Sequence, residues 1–350
     1  MQMLYLLLYP IPQHAMTRFR SLALFAATPL LAIASPSAKA QTTFTFADTS
    51  GDHLDVQLNG KALVRWQYAF DSSSPEKLHE TYKPYLHFLD ADGKDLITKG
   101  PGGEFPHHRG WFLGWSKITT PLGTVDRWHM KGGNIVQQKI LSQSATKDSA
   151  SFTVLLHWQG TTEAPILSEE RTYTVRSAPA PAYALVEMKS ELKALAGETK
   201  LDGDPEHAGL QFRPAAAIER SETSYVFPKA AADPKKDRDY AWVAQKMSVG
   251  GKKYTVAFLN HPDNPKDTPF SAYRDYGRFG GFFRTTIPAD GTAVLRGEIL
   301  IAEGALTPEA IQKTANAFTG KNDPTPEVTE RPADKPAPKK EDKKPDPAAK

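Results

Sequence analysis

The chain has 350 residues, 43 basic and 40 acidic, and no cysteine. Zero cysteine excludes a disulfide framework, a thiolate nucleophile and a Cys-based metal site. With the two ends set aside, the core carries 32 basic and 33 acidic residues, so the sequence gives no electrostatic footprint for nucleic acid.

In chain order, the first feature is a leader. Met16-Thr17-Arg18-Phe19-Arg20 is a positive start, Ser21–Ile33 a short apolar stretch, and Ser37-Ala38-Lys39-Ala40 a small-residue cleavage pattern. Residues 1–40 are predicted to be a secretory signal peptide cut after Ala40, which places the mature protein in the periplasm or outside the cell. No later run is long and apolar enough for a membrane span, so none is expected after cleavage.

Residues 41–320 are predicted to form one β domain. Short runs rich in β-branched and aromatic residues recur between Gly, Pro, Asp and Asn: His53–Asn59, Lys61–Phe70, Pro84–Asp90, Gly110–Ile118, Asn134–Leu141, Ser151–Trp158, Leu167–Arg176, Ala182–Leu192, Trp242–Val249, Lys253–Leu259 and Ala293–Ala302. Asn59-Gly60 and Asp92-Gly93 are turn signals. Phe152, Val154, Leu156 and Trp158 alternate with Thr153, Leu155, His157 and Gln159 as a half-buried strand does. Leu201–Asp239 and His261–Gly281 read as long loops of the kind that carry function. One helix is expected, Pro308–Phe318, with Thr307 as N-cap, Pro308 at its first position and Gly320 as its stop. From Lys321 the chain is rich in Pro, Lys and Asp and lacks aromatics, so residues 321–350 are predicted to be a disordered tail. The expected fold class is therefore all-β: a large antiparallel β-sandwich with one C-terminal helix, by analogy a supersandwich like that of sugar mutarotases.

Four segments carry chemistry. In Pro106-His107-His108-Arg109-Gly110-Trp111-Phe112-Leu113-Gly114-Trp115, read as a strand, alternation puts His107, Arg109, Trp111, Leu113 and Trp115 on one face. Indole and phenol rings beside charged groups suit carbohydrate, and Tyr85 and His87 stand one strand earlier. Glu169 and Arg171 share a face with Leu167 and Tyr173; they are either a matched buried pair or part of a pocket, with Glu170 on the opposite face. His207, Gly209, Gln211 and Arg213 form a polar strand face behind Asp202-Gly203-Asp204-Pro205-Glu206, either solvated or part of the site. His261, at the end of an apolar strand, either caps the Asn260–Pro265 turn or reaches the sheet rim. There is no HExxH, HxH, GxSxG, P-loop or dinucleotide fingerprint.

The stretch PYLHFLDADGKDLITKGPGGEFPHHRGWFLGW resembles the signature of a PmoA-like family of soluble domains of unknown function, often labelled methane oxygenase, whose pattern runs RPY-h-HPL … PHHRG-h-h-hGW with h hydrophobic. Lys83–His87 and Pro106–Gly110 carry the match, with Lys83 where the family often has Arg. Trp128-His129, Glu170–Tyr173 and His207–Ala215 support it, so the resemblance spans most of residues 45–305. It implies an extracytoplasmic protein with functional positions at His87, His107, His108 and Arg109. The methane-oxygenase label does not carry over, because that enzyme is a membrane complex and this chain has no suitable span.

The leading expectation is an exported carbohydrate-active enzyme, a hydrolase, lyase or epimerase on a glycoside or modified sugar. His107, His108 and His207 with Glu169 or Glu170 would do the acid–base work. Tyr85, His87, Arg109, Trp111, Trp115, Arg171, Arg213 and His261 would hold a small-molecule or oligosaccharide ligand. The rivals are a non-catalytic carbohydrate-binding module and a His-ligated metal oxidase. No cofactor is predicted; a divalent metal held by His and Glu is the alternative. The oligomeric state has no signal in the sequence.

Overall fold

The architecture is that of a computed structural model that describes residues 43–204 and 206–335. The predicted signal peptide lies outside the described residues. The described strands form three sheets of eight, nine and four strands, every strand-to-strand pairing antiparallel. The all-β sandwich expected from the sequence is what the chain forms.

The eight-stranded sheet runs, in spatial order, through Phe44–Thr49, His53–Leu58, Lys61–Gln67, Tyr85–Phe88, Trp111–Trp115, Ala208–Phe212, Phe279–Gly281 and Phe270–Ser271. The nine-stranded sheet has Ala182–Ala194 and Thr292–Glu303 near its middle and Ile135–Ala145 at one edge. The two sheets bury their facing residues together. Trp66 and Trp111 of the first pack on Tyr173 of the second, with ring centroids 5.4 and 6.1 Å apart, and Trp115 meets Trp158 at 5.7 Å. Along Ser149–Gln159 the buried residues alternate from Ala150 to Trp158, as the sequence pattern requires of a strand with one face on a core.

Local chemistry sets the connections. Asn59 and Gly60 both adopt positive φ, 52° and 79°, the backbone of a tight hairpin turn. The expected helix spans Pro308–Thr319: the Thr307 side chain accepts from Ala310 N, and Gly320 ends it in the left-handed conformation. It covers the outer face of the nine-stranded sheet with Ile311 and Ala315 against Trp242, Ala257 and Leu300. That cover explains why Trp242–Val249 and Lys252–Asn260 are buried on both faces.

Three findings depart from expectation. A second helix, Pro75–Thr81, is capped by Ser74, whose side chain accepts from Lys77 N at 3.3 Å. It buries no residue, so no apolar periodicity marks it in the sequence. The predicted loop Leu201–Asp239 contains, besides the strand Ala208–Phe212 that alternation marks at His207–Arg213, the unexpected strand Ser224–Phe227. The chain past Gly320 is also not wholly a tail: Thr329–Pro332 adds an edge strand beside Ser224–Phe227, held by backbone hydrogen bonds that need no apolar side chains. Among the described residues, no helix is long and apolar enough to cross a membrane.

Candidate functional site

The site lies on the outer face of the eight-stranded sheet, opposite the face the sequence suggests. In Trp111–Trp115, Trp111, Leu113 and Trp115 turn into the core, while Phe112 packs outward against Trp128. Gly114 is needed there, because a Cβ would lie 2.6 Å from the Arg127 carbonyl oxygen. The strand itself begins only at Trp111. Phe105 and Gly110, at φ 52° and 49°, break the extended backbone, and His108 N donates to Phe105 O to close a turn. His107, His108 and Arg109 thus stand on a loop. Buried Lys99 secures it, its ammonium donating to the carbonyls of Gly100, Gly102 and Phe105 at 3.1, 2.5 and 3.5 Å. Burial lowers the Lys99 pKa to about 8.

Two further turns bring imidazoles to this loop. Asp126 accepts from Trp128 N and His129 N, and its second oxygen holds His129 Nδ1 at 2.8 Å. Asp204 accepts from Glu206 N and holds His207 Nδ1 at 2.7 Å. The result is a continuous row of rings: His108 to His107 at 4.3 Å, His107 to His129 at 4.6 Å, His129 to His207 at 4.8 Å between centroids. Trp128 stands edge-on to both ends of the row, 5.6 Å from His108 and 5.6 Å from His207. Tyr276 and Phe105 flank His108.

The electrostatics are unusual. Burial, then the charges of Lys83, His129, His207 and Arg278, pushes His107 down to about 2. Burial, then Arg278 and His107, lowers His108 as well. Both are neutral imidazoles at neutral pH. Lys83 is buried with its ammonium 3.2 Å from Trp128 O and 4.4 Å over the Phe112 ring, with no ion pair among the described residues. Burial first, and the Arg109 charge second, brings its pKa well below the usual lysine value. Several buried atoms here lack any hydrogen-bond partner: both ring nitrogens of His108, Trp128 Nε1 and Arg278 Nε. Buried polar groups normally have partners, so such a concentration marks a place prepared for something else.

At the His207 end the row meets a cavity of about 740 Å³ lined by Asp204, Glu206, His207, Tyr273, Arg274 and Phe282, among others. Tyr273 donates to Glu206 at 3.1 Å, and Arg274 pairs with the same carboxylate. Burial raises the Tyr273 phenol to about 12, so it stays a donor. Arg278 donates to the Glu206 carbonyl and to Ser271 Oγ.

Of the residues expected at one site, the structure brings together His107, His108 and His207. Arg213 stands one layer behind, its guanidinium 4.6 Å over the Tyr276 ring and donating to the Tyr276 carbonyl. The others lie elsewhere. Trp111 and Trp115 are wholly buried, Trp115 donating to Phe283 O at 2.7 Å, so neither ring can stack on a ligand. Arg109 is also wholly buried. It donates to the carbonyls of Pro106, Glu80 and His79 and lies 4.1 Å over Tyr82, which ties the loop to the end of the Pro75–Thr81 helix. Glu169 and Arg171 form the matched buried pair, with Trp158 and Ser190 completing the carboxylate's bonds. Glu170 points to solvent. His261 bonds Arg296 and packs on Phe318 of the C-terminal helix. Tyr85 and His87 line a separate, smaller cavity. The strand face of Gly209 and Gln211 is buried, not solvated.

The sequence reading missed Asp126 and His129 as a pair. Their spacing, Asp-x-x-His, recurs at Asp204–His207, and that repeated motif is the signal that could have found them. Among the described residues, no group of three or more His, Asp or Glu side chains is arranged to hold a metal ion.

A profile described as a family of unknown function, DUF6807, matches residues 53–316. The chain belongs to the DUF6807 family. The match supports neither the methane-oxygenase label nor the signature read in the sequence. Comparison with curated proteins gives no match. Among solved structures, this DUF6807 chain is similar to the galactosidase domain of alpha-galactosidase-sucrose kinase, AgaSK, at 9% identity and a TM-score of 0.39. The similarity covers 76% of this chain and 42% of that one, and at that score it carries no argument about activity.

Proposed function

We propose that this DUF6807 protein is an exported enzyme that acts on a sugar or modified sugar by proton transfer. Asp204–His207 is the acid–base pair at the cavity, with Asp126–His129 next in line. The observation that carries the reading is the row of imidazoles, two of them held through Nδ1 by a carboxylate. Each aspartate fixes the tautomer with Nδ1–H, which leaves Nε2 with a free lone pair, and each would stabilise the imidazolium formed when Nε2 takes a proton.

The cavity supports a sugar as substrate. Tyr273 offers a ring over a wall backed by Phe270 and Phe282, while Arg274, Glu206 and Lys235 offer charged hydrogen bonds. His207 removes a proton from a carbon beside a carbonyl, and the bonding pair stays on the substrate. In elimination that pair forms a C=C bond as the neighbouring C–O bond breaks, and the leaving oxygen takes the proton from His207; in epimerisation a donor other than His207 protonates the opposite face of the same carbon. The carboxylates once considered as partners, Glu169 and Glu170, have no part in this scheme: one is locked in the core and the other faces solvent.

The test is turnover of a panel of glycosides and keto-sugars by the purified protein beside His207→Ala, His129→Ala and Glu170→Ala. The expected result is a loss of about 10²–10⁴-fold in both histidine variants with ligand affinity kept within about tenfold, and no change in Glu170→Ala. Turnover that survives both histidine substitutions overturns the assignment. Binding without any turnover turns the protein into a carbohydrate-binding module.

A further inference from the structure

Beside the large cavity the fold carries a second one, about 360 Å³, lined by Asp52, Gln67, Glu80, Tyr85, His87 and Gly100, among others. The two cavities share no lining residue. We infer that this second cavity is a separate binding site for a neutral, hydroxyl-rich molecule of about one sugar ring.

The argument begins with two polar ends. Tyr85 and His87 are only 3% and 4% exposed, yet both reach the cavity. The Tyr85 hydroxyl has no hydrogen-bond partner among the described residues. His87 Nδ1 is taken by Thr98 Oγ1 at 2.9 Å, which leaves Nε2 unused. A Cβ on Gly100 would lie 3.7 Å from Nε2 and 3.7 Å from the phenol oxygen, so both atoms face one small patch of cavity wall. Both atoms open on the cavity, so a ligand's hydroxyls can take the place of water on them.

The same surroundings select the ligand's chemistry. Burial, with the Arg65 charge second, lowers His87 to about 3, and burial raises Tyr85 to about 12. Both stay uncharged across the physiological range. The phenol donates, and His87 Nε2 donates or accepts according to the Thr98 hydrogen. The Asp52 and Glu80 carboxylates accept hydroxyl protons and outnumber the one basic side chain in the wall, Lys83, whose pKa burial brings well below the usual lysine value, so an anion is disfavoured. A volume near the lower end of ligand pockets suits a single ring rather than a chain of them. Gly100 leaves space in the wall beside both polar atoms, and its backbone is in an ordinary region, so a side chain there adds bulk without backbone strain.

Ligand-observed NMR titration of the full protein with D-glucose, D-galactose and D-xylose, and with D-glucuronate as the anionic comparator, tests the site. Wild-type protein should bind at least one neutral sugar more tightly than glucuronate. Tyr85→Phe, which removes only the hydroxyl, should weaken that sugar about 3–10-fold. Gly100→Leu should abolish binding, with a thermal melt to confirm folding. Arg274→Ala, which removes a charged hydrogen-bonding group from the other cavity, should leave it unchanged. The inference is overturned if no neutral sugar binds, if glucuronate binds more tightly, if binding is unaltered in Tyr85→Phe, or if it is lost only in Arg274→Ala. The last outcome would seat the ligand in the larger cavity. The assignment does not depend on the acid–base reading, because turnover is not among its readouts.

Discussion

Glu169 and the histidine row are both polar groups inside a β-sandwich, and they are built on opposite rules. Glu169 lies between the two large sheets with four hydrogen bonds on its two oxygens: two from Arg171 at 2.7 Å, one from Trp158 at 2.8 Å and one from Ser190 at 2.6 Å. The row on the outer face holds an unpaired ammonium at Lys83 and two orphaned nitrogens on His108. The first region contributes a closed network whose every bond serves the fold. The second keeps polar atoms unsatisfied at some cost in stability, which a protein tolerates where a ligand supplies the missing partners.

Breaking the closed network should give the largest change in stability. Glu169→Ala strands the Arg171 charge between the sheets and should cost about 3–5 kcal/mol, read by denaturant unfolding. The double variant Glu169→Leu/Arg171→Met should recover most of that loss. If the single substitution proves nearly neutral, the two regions are not different in kind.

The open cluster should show the reverse pattern. His207→Ala should leave stability within about 1 kcal/mol of wild type, because the ring is partly exposed, while removing turnover. Asp204→Asn should lower turnover less than His207→Ala does, since it disturbs only the tautomer and orientation of the ring. A His207→Ala protein that unfolds readily would mean the row is a structural network like that of Glu169.

Acid should also separate the two. His87, His107 and His108 are neutral when folded, with pKa values below the ordinary 6.5. Below about pH 6.5 the unfolded chain binds protons that the native state refuses, so stability falls with falling pH. Each of these histidines contributes up to about 1.4 kcal/mol per pH unit. His261, also lowered by burial and by Arg296, adds to the slope. The slope of melting temperature between pH 6.5 and 5 measures this, and His108→Leu should make it shallower. The smallest effect is expected at Glu170, exposed on the same strand as Glu169: Glu170→Ala should change stability by no more than about 0.5 kcal/mol.

Much of the fold was legible because it depends on local pattern. Alternation found Ser149–Gln159, and cap chemistry found Pro308–Thr319. The site was legible only in part. His107, His108 and His207 were marked by their company of aromatic and charged residues. The face was misjudged because alternation runs from Pro106 straight through Gly110, where positive φ turns the chain. Arg109 and the two tryptophans looked like ligand-binding groups, since their real partners are backbone carbonyls and core rings far along the sequence. Arg109 reaches His79 and Glu80, and Trp115 reaches Phe283. Tertiary pairings of that kind leave no trace in a local pattern.

A crystal structure of the protein with the tightest-binding sugar from the turnover panel tests the central claim most directly. The account predicts a substrate oxygen or reacting carbon within hydrogen-bond reach of His207 Nε2, in the cavity shared with Glu206, Tyr273 and Arg274. A sugar bound with its reacting atoms away from both His207 and His129 would contradict it.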